Sequence, residues 1–184
     1  MNFIKELELV FIVFLIGYTA FLIKETISYL KLRILFTSDI KRLKNGIILV
    51  SDLHDNLTPN EFEHWCGDFL DKKGYLDVYV TPKGPDGGKD IICKKEFEKI
   101  YVECKRFVYS LNAKFKVDDD IARKLVGAMI GDNITGGVII TSGIFTDEAI
   151  RYIETLPSKY NFQLYDGKDL ATQYSVLKTL KLTN

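Results

Sequence analysis

Cysteine is scarce in this sequence and stands in no paired pattern. Cys66, Cys93 and Cys104 form an odd set with no CxxC and no Cys/His grouping. That argues against a zinc site and against a disulfide framework, and it suits a reducing cytoplasm. Histidine is scarcer still: His54 and His64 are too few for a histidine-rich metal cluster. Any metal here has to be held by carboxylates. Net charge is also lacking, because 25 basic residues balance 25 acidic ones. Overall charge therefore lends no independent support to a nucleic-acid partner. Neither an internal repeat nor a low-complexity stretch interrupts the chain. What remains is a globular composition, 47% hydrophobic and 27% charged, in 184 residues. That length suits one compact domain plus a short extra segment.

The extra segment lies at the N-terminus. Leu9 to Ile23 carries no charge and is bounded by Glu8 and Lys24. At helical rise this run covers roughly 22 Å, against a hydrocarbon core of ~30 Å. Lys5 and Lys24 extend its reach by snorkelling. A buried core helix is the alternative, but the run is apolar all round rather than on one stripe, and it lies at the extreme terminus. A cleaved signal peptide fits less well: Lys5 is outnumbered by Glu6 and Glu8, and no small-x-small site follows. Downstream stand Lys24, Lys31, Arg33, Lys41, Arg42 and Lys44, which direct the C-terminal bulk to the cytoplasm. The expectation is an uncleaved single-pass anchor of the cell membrane over residues 1–24, touching lipid through residues 9–23. A connector over residues 25–56 alternates apolar and basic residues, as a helix on anionic lipid or a strap on the domain would.

The remainder, residues 57–178 before a short tail of 179–184, reads as one α/β domain. Thr58-Pro59 with Glu61 is a helix start, and Phe62, Trp65, Cys66, Phe69 and Leu70 make an apolar stripe to about Lys72. Gly74 ends the helix. Leu76 to Thr81 reads as a strand. The glycine-rich loop Gly84 to Gly88 leads to a second strand, Asp90 to Cys93. Lys94 to Lys99 is expected to turn, and Ile100 to Arg106 to form a third strand. Asp118 to Asp120 open a helix, Gly136-Gly137 open a strand, and Thr146 caps the next helix. Phe162 to Tyr165 is a short strand, and a final helix runs from Asp166-Gly167 to about Leu177. The order α-β-β-β-α-β-α-β-α implies a mixed β-sheet flanked by helices.

The chemistry concentrates between Asp90 and Lys105. Alternate strand residues share a face, so Glu103 and Lys105 project together while Val102 and Cys104 face the core. A hairpin can set Asp90 beside Glu103. Two adjacent carboxylates repel unless a cation lies between them, and hard oxygen donors suit Mg²⁺ or Mn²⁺. An adjacent lysine can hold an attacking water and offset charge at phosphorus. Taken alone, an E-x-K strand is more often a solvated face with a surface ion pair, and Asp after glycines is an ordinary turn residue.

Five ordered blocks change that balance. LTPNEFEHWCGDFLDKKGYLDVYVT, DGGKDII, IYVECKRF, GGVIITSGIFTDEA and LYDGKDLA together resemble the Mrr-like branch of the PD-(D/E)xK nucleases over about Leu57 to Leu177. The resemblance implies a restriction-endonuclease-like fold and Mg²⁺-dependent hydrolysis of DNA. It implies that Asp90, Glu103 and the carbonyl of Cys104 bind the metal, that Lys105 is the catalytic lysine, and that Glu63 assists from the first helix. Asp86 is a weaker member of the same neighbourhood. Lys89 stands where the family has an apolar residue, and Glu103 where this branch more commonly has Gln.

Cations near the expected cleft, Lys83, Lys89 and Arg106 foremost and then Lys94, Lys95, Lys114 and Lys116, are expected to steer phosphates. Thr141 and Ser142 read as strand-terminal turn residues with DNA contact as the alternative. The functional expectation is a DNA endonuclease restricting foreign or modified DNA, with homodimerisation left open. The alternatives are a junction-resolving nuclease and a non-catalytic, membrane-anchored DNA-binding module.

Overall fold

A computed structural model describes residues 11–30, 49–82 and 89–181. Much of the expected connector, Lys83, Asp86 and the end of the tail lie outside these residues. The chain divides into two units at Lys41/Arg42. In the first, helix α1 spans Phe11–Leu30, 20 residues with mean hydropathy 1.6 over its most apolar window. It runs past Lys24 to Leu30, so its described length is roughly 30 Å, long and apolar enough to cross a membrane. Every residue of it is exposed. The Thr19 and Thr26 hydroxyls donate to the carbonyls of Ile16 and Leu22, so neither carries an unmet donor on the apolar surface.

The second unit is a five-stranded mixed sheet between helix layers. Its elements are α2 (Asp52–Asp55), α3 (Pro59–Lys72), β1 (Leu76–Val80), β2 (Ile91–Lys95), β3 (Glu98–Lys105), α4 (Asp119–Gly131), β4 (Gly136–Thr141), α5 (Asp147–Glu154), β5 (Asn161–Tyr165) and α6 (Gly167–Lys181). Strand order follows the chain, β1-β2-β3-β4-β5. β1, β2 and β3 pair antiparallel, while β3 with β4 and β4 with β5 pair parallel across the helical crossovers. From α3 onward this is the order expected from the sequence.

Local chemistry sets the boundaries. Thr58 and Glu61 form a reciprocal capping box around Pro59, meeting orphan N–H groups at the start of α3. Gly74, at φ 83°, lets the chain leave the helix. Asp118 and Thr146 cap α4 and α5 through the N–H groups of Ile121 and Ala149. β4 is buried at every position, as a central parallel strand covered on both faces should be. A side chain at Gly137 would meet the Phe162 ring at 2.5 Å, so glycine there permits close packing.

Two cores fill the layers. Phe62, Cys66, Phe69 and Leu70 of α3 pack with Ile100, Val102 and Cys104 of β3 and with Leu53 and Leu170. On the other face Tyr101 and Ile139 pack under Ala122, Leu125 and Met129 of α4.

Three details differ from expectation. The turn between β2 and β3 is not Lys94 to Lys99 but the two residues Glu96 and Phe97, because Lys94 and Lys95 pair with Lys99 and Glu98 in the ladder. Glu96 takes φ 57° there, a conformation usually signalled by glycine or asparagine. α6 continues to Lys181, beyond the expected Leu177. Helix α2 was not foreseen, yet its Asp52 and Leu53 are buried, and the Asp52 carboxylate accepts from the N–H of Leu49.

Candidate active site

Asp90 lies just before β2 and is fastened by its backbone on both sides. Its N–H donates to the carbonyl of Val102 at 2.8 Å, and its carbonyl accepts from the N–H of Thr81 at 2.9 Å. The Thr81 hydroxyl adds a second bond to that carbonyl. With its main chain held, the side chain turns to β3, where Oδ2 accepts the N–H of Cys104 at 2.7 Å. The register carries Glu103 and Lys105 opposite Ile139 and Thr141 on the other side. Asp90 therefore meets β3 between its acid and its lysine.

Glu103 is 8% exposed, and its carboxylate forms an ion pair with the Lys105 ammonium. Burial works against the charge on Lys105. The Glu103 carboxylate outweighs it, Asp90 adds to the effect, and the lysine is held above its ordinary range. Lys105 is therefore a cation at neutral pH. Cys104 between them points into the α3 core, where burial and the contact with Cys66 keep its thiol protonated, well above its usual range. Its thiolate is thus unavailable as a ligand or nucleophile.

The far end of β3 is clamped by two hydroxyls from β4 and its exit. Thr141 Oγ1 donates to the carbonyl of Lys105 at 2.7 Å and accepts the N–H of Gly143 at 2.9 Å. Ser142 Oγ donates to the carbonyl of Phe107 at 2.8 Å. Both residues are fully buried, which is the turn role expected of them. A side chain at Gly143 would lie 2.8 Å from Phe107 Cβ, and one at Gly167 only 2.3 Å from the Ser142 carbonyl. The strand ends are packed main chain against main chain.

The structure thus gathers Asp90, Glu103 and Lys105. Glu63 lies on α3, half-buried. Lys89 is engaged by Asp132 at 2.8 Å and lies over the Tyr101 ring, which raises its pKa chiefly through the Asp132 hydrogen bond. Lys94 pairs with Asp77, and Lys95 lies over Tyr75. Arg106 Nη1 donates to the carbonyl of His54, tying the residue after the lysine to α2. Sequence spacing carried no sign of that bond, which joins positions 52 apart.

A divalent cation fits this donor set. Among the described residues no group of three or more His, Cys, Asp or Glu side chains comes together. The available donors are two carboxylates and the carbonyl of Cys104, which a strand turns to the same edge as its N–H. All are hard oxygens, and so few of them leave positions for water and phosphate, as Mg²⁺ prefers.

Residues 54–174 match the Mrr_cat family model, described as restriction endonuclease. No curated protein matches the chain. Among solved structures, the DNA modification-dependent restriction endonuclease AspBHI is similar at TM-score 0.51 and 15% identity, over 79% of this chain and 40% of its own. The MspJI restriction endonuclease, in complex with a 27-mer oligonucleotide, aligns at TM-score 0.44 and 17% identity, over 82% of this chain and 31% of its own. AF1548, a protein of unknown function, aligns at TM-score 0.45 and 15% identity, over 63% of this chain and 66% of its own. The chain spans less than two thirds of each. At such identity the likeness to AspBHI is one of fold.

Proposed function

This chain belongs to the Mrr_cat restriction endonuclease family, and from that premise we propose that it is a divalent-metal-dependent DNA endonuclease acting on foreign or modified DNA. One observation carries the reading. The Asp90 carboxylate is fastened to the Cys104 N–H between Glu103 and Lys105, which are themselves an ion pair.

Asp90, Glu103 and the Cys104 carbonyl would hold Mg²⁺ or Mn²⁺, which when bound supplies Lewis-acid polarisation of the scissile phosphate. Lys105 orients the attacking water and, as a cation, offsets the charge that builds on the phosphoryl oxygens. Water adds to phosphorus as the bond to the 3′ oxygen breaks. The products are a 5′-phosphate and a 3′-hydroxyl: the attacking water gives up a proton to solvent, and the departing 3′ oxygen takes one from solvent. Glu63 would assist from α3, and Lys83, Lys89 and Arg106 would contribute to phosphate binding.

We extend the proposal to organisation. Residues 1–24 anchor the chain by a single span in the cell membrane, residues 25–56 connect, residues 57–178 form the catalytic domain on the cytoplasmic side, and 179–184 are a tail. The length and composition of α1 support the anchor. Cutting both strands takes two such sites, which a homodimer supplies.

The test uses the full chain in detergent micelles with supercoiled plasmid and Mg²⁺ or Mn²⁺, beside an EDTA control and Lys105→Ala. The expected result is nicking that EDTA stops and Lys105→Ala lacks. Nicking that survives either one, or none on plain, methylated and branched DNA, overturns the proposal. A protease added to intact cells is expected to spare the catalytic domain. Cleavage of that domain from outside would refute the topology.

A further inference from the structure

Immediately beyond Lys105 the chain walls a cleft of about 340 Å³, lined by His54 and by residues between Arg106 and Phe115. That volume is at the small end of ligand pockets, roughly 300–1,000 Å³. Among the described residues no carboxylate lines it. Its charged members are Arg106 and Lys114, its neutral polar members include Ser110 and Asn112, and its rings are Phe107 and Phe115. The two rings stack at 6.1 Å between centroids.

Three features point to what belongs there. Arg106 spends Nη1 on the His54 carbonyl, but its Nε is buried without a hydrogen-bond partner among the described residues. The guanidinium is thus incompletely satisfied by the described residues. Phe115 is 60% exposed and Leu111 82% exposed, so the loop keeps apolar faces uncovered directly beside cations. Cationic groups interleaved with solvent-exposed aromatic rings bind nucleotides, the charge taking phosphate and the ring taking a base.

The third feature is position. Consecutive Cα atoms are about 3.8 Å apart, so the cleft begins one residue after the lysine of the proposed nuclease centre. Arg106 is the first residue after β3, so the cleft opens where that strand ends. A stacked duplex offers phosphates and base edges to a protein but no base faces. A nucleotide next to the scissile phosphate can use this cleft only by leaving the stack.

We propose that this cleft receives one unpaired nucleotide of the DNA beside the scissile phosphate, its phosphate on Arg106 and Lys114 and its base on Phe115. The inference rests on the nuclease reading and narrows its substrate to DNA with a locally opened or extrahelical nucleotide. Leu111, at the exposed tip, would fill the gap left in the stack.

The test is a binding measurement, independent of cleavage. The full chain in detergent micelles, in EDTA, is titrated with a duplex carrying one extrahelical 2-aminopurine and with its fully paired counterpart. Wild type is expected to bind the first about tenfold more tightly, the scale of one base–aromatic stack, and to quench its fluorescence. Phe115→Ala and Lys114→Ala are expected to bring the ratio toward one, and Phe115→Tyr to retain it. Equal affinities in wild type, or a preference that survives both alanine variants, overturn the proposal. So does quenching that excess dAMP removes without weakening DNA binding, which would mark a free-nucleotide site. A preserved binding ratio in a protein that cuts neither duplex with Mg²⁺ refutes the nuclease reading alone, while no DNA binding at all refutes both.

Discussion

Asp90 Oδ2 accepts the main-chain N–H of Cys104 at 2.7 Å, so the carboxylate at the head of one strand is fastened to the backbone of the next. Its placement depends on an acceptor oxygen, and its proposed chemistry on a negative charge. The two separate by substitution. Asp90→Asn keeps an acceptor for Cys104 and loses the charge: the melting temperature should hold while cleavage falls by on the order of a hundredfold or more. Asp90→Ala loses both and should also cost about 1–3 kcal/mol in urea unfolding. An Asn variant as active as wild type would remove Asp90 from the reaction.

Thr141 is a positioning residue, acting on Lys105 through its carbonyl. Thr141→Val leaves that carbonyl and the Gly143 N–H without the buried hydroxyl they share, for a loss of about 1–3 kcal/mol. Activity should fall in kcat more than in KM, since the change moves the lysine and leaves phosphate contacts in place. Thr141→Ser should restore both. A serine variant no better than valine would mean that the methyl, not the hydroxyl, matters.

Leu53 is fully buried in the α3-side core, upstream of the capping Thr58. Leu53→Ala should therefore cost about 2–5 kcal/mol, the range for emptying a buried leucine site. A fragment starting at Thr58 should be destabilised by at least as much, because it also loses the carbonyl that receives Arg106. Thermal melts of the two beside the full chain decide the matter. A fragment as stable as its parent would show that α2 is dispensable.

Burial lifts the Cys93 thiol to about 12 and holds Cys104 well above its ordinary range. Between the unfolded value near 8.5 and the folded value, the folded chain keeps protons that the unfolded chain releases. Stability should therefore fall as pH rises through that window, by about a kcal/mol per unit for each thiol. Urea midpoints measured from pH 7 to 10 check the slope. Iodoacetamide at pH 8 should leave both thiols unmodified until the chain unfolds.

Which parts of this were legible in the chain follows the range of the interactions. Helix starts at Thr58, Asp118 and Thr146 declare themselves because cap and N–H lie three residues apart. β4 shows as an apolar run after two glycines. The juxtaposition of Asp90 with Glu103 and Lys105 follows from strand alternation and a short connection. The turn at Glu96 was misplaced because no glycine marks its positive φ, and charged residues filled ladder positions that pattern alone assigns to loop. Helix α2 is four residues long, too short to show a period. The Thr141 and Ser142 clamps, the Arg106–His54 bond and the Lys89–Asp132 pair join residues 35 to 52 positions apart. No spacing rule reaches that far.

The clamp on β3 has a consequence for how the chain comes to be made. Asp90 and Cys104 are separated by 14 positions and closed by a hairpin, whereas Thr141 reaches Lys105 across 36. Shorter loops close at lower entropic cost, and local pairs form ahead of distant ones. A chain emerging from the ribosome therefore holds both carboxylates and the lysine before the strand that fastens them exists. Until β4 is delivered, the molecule is a hairpin with a loose end, and the last parallel strands to be synthesised turn it into a shaped site.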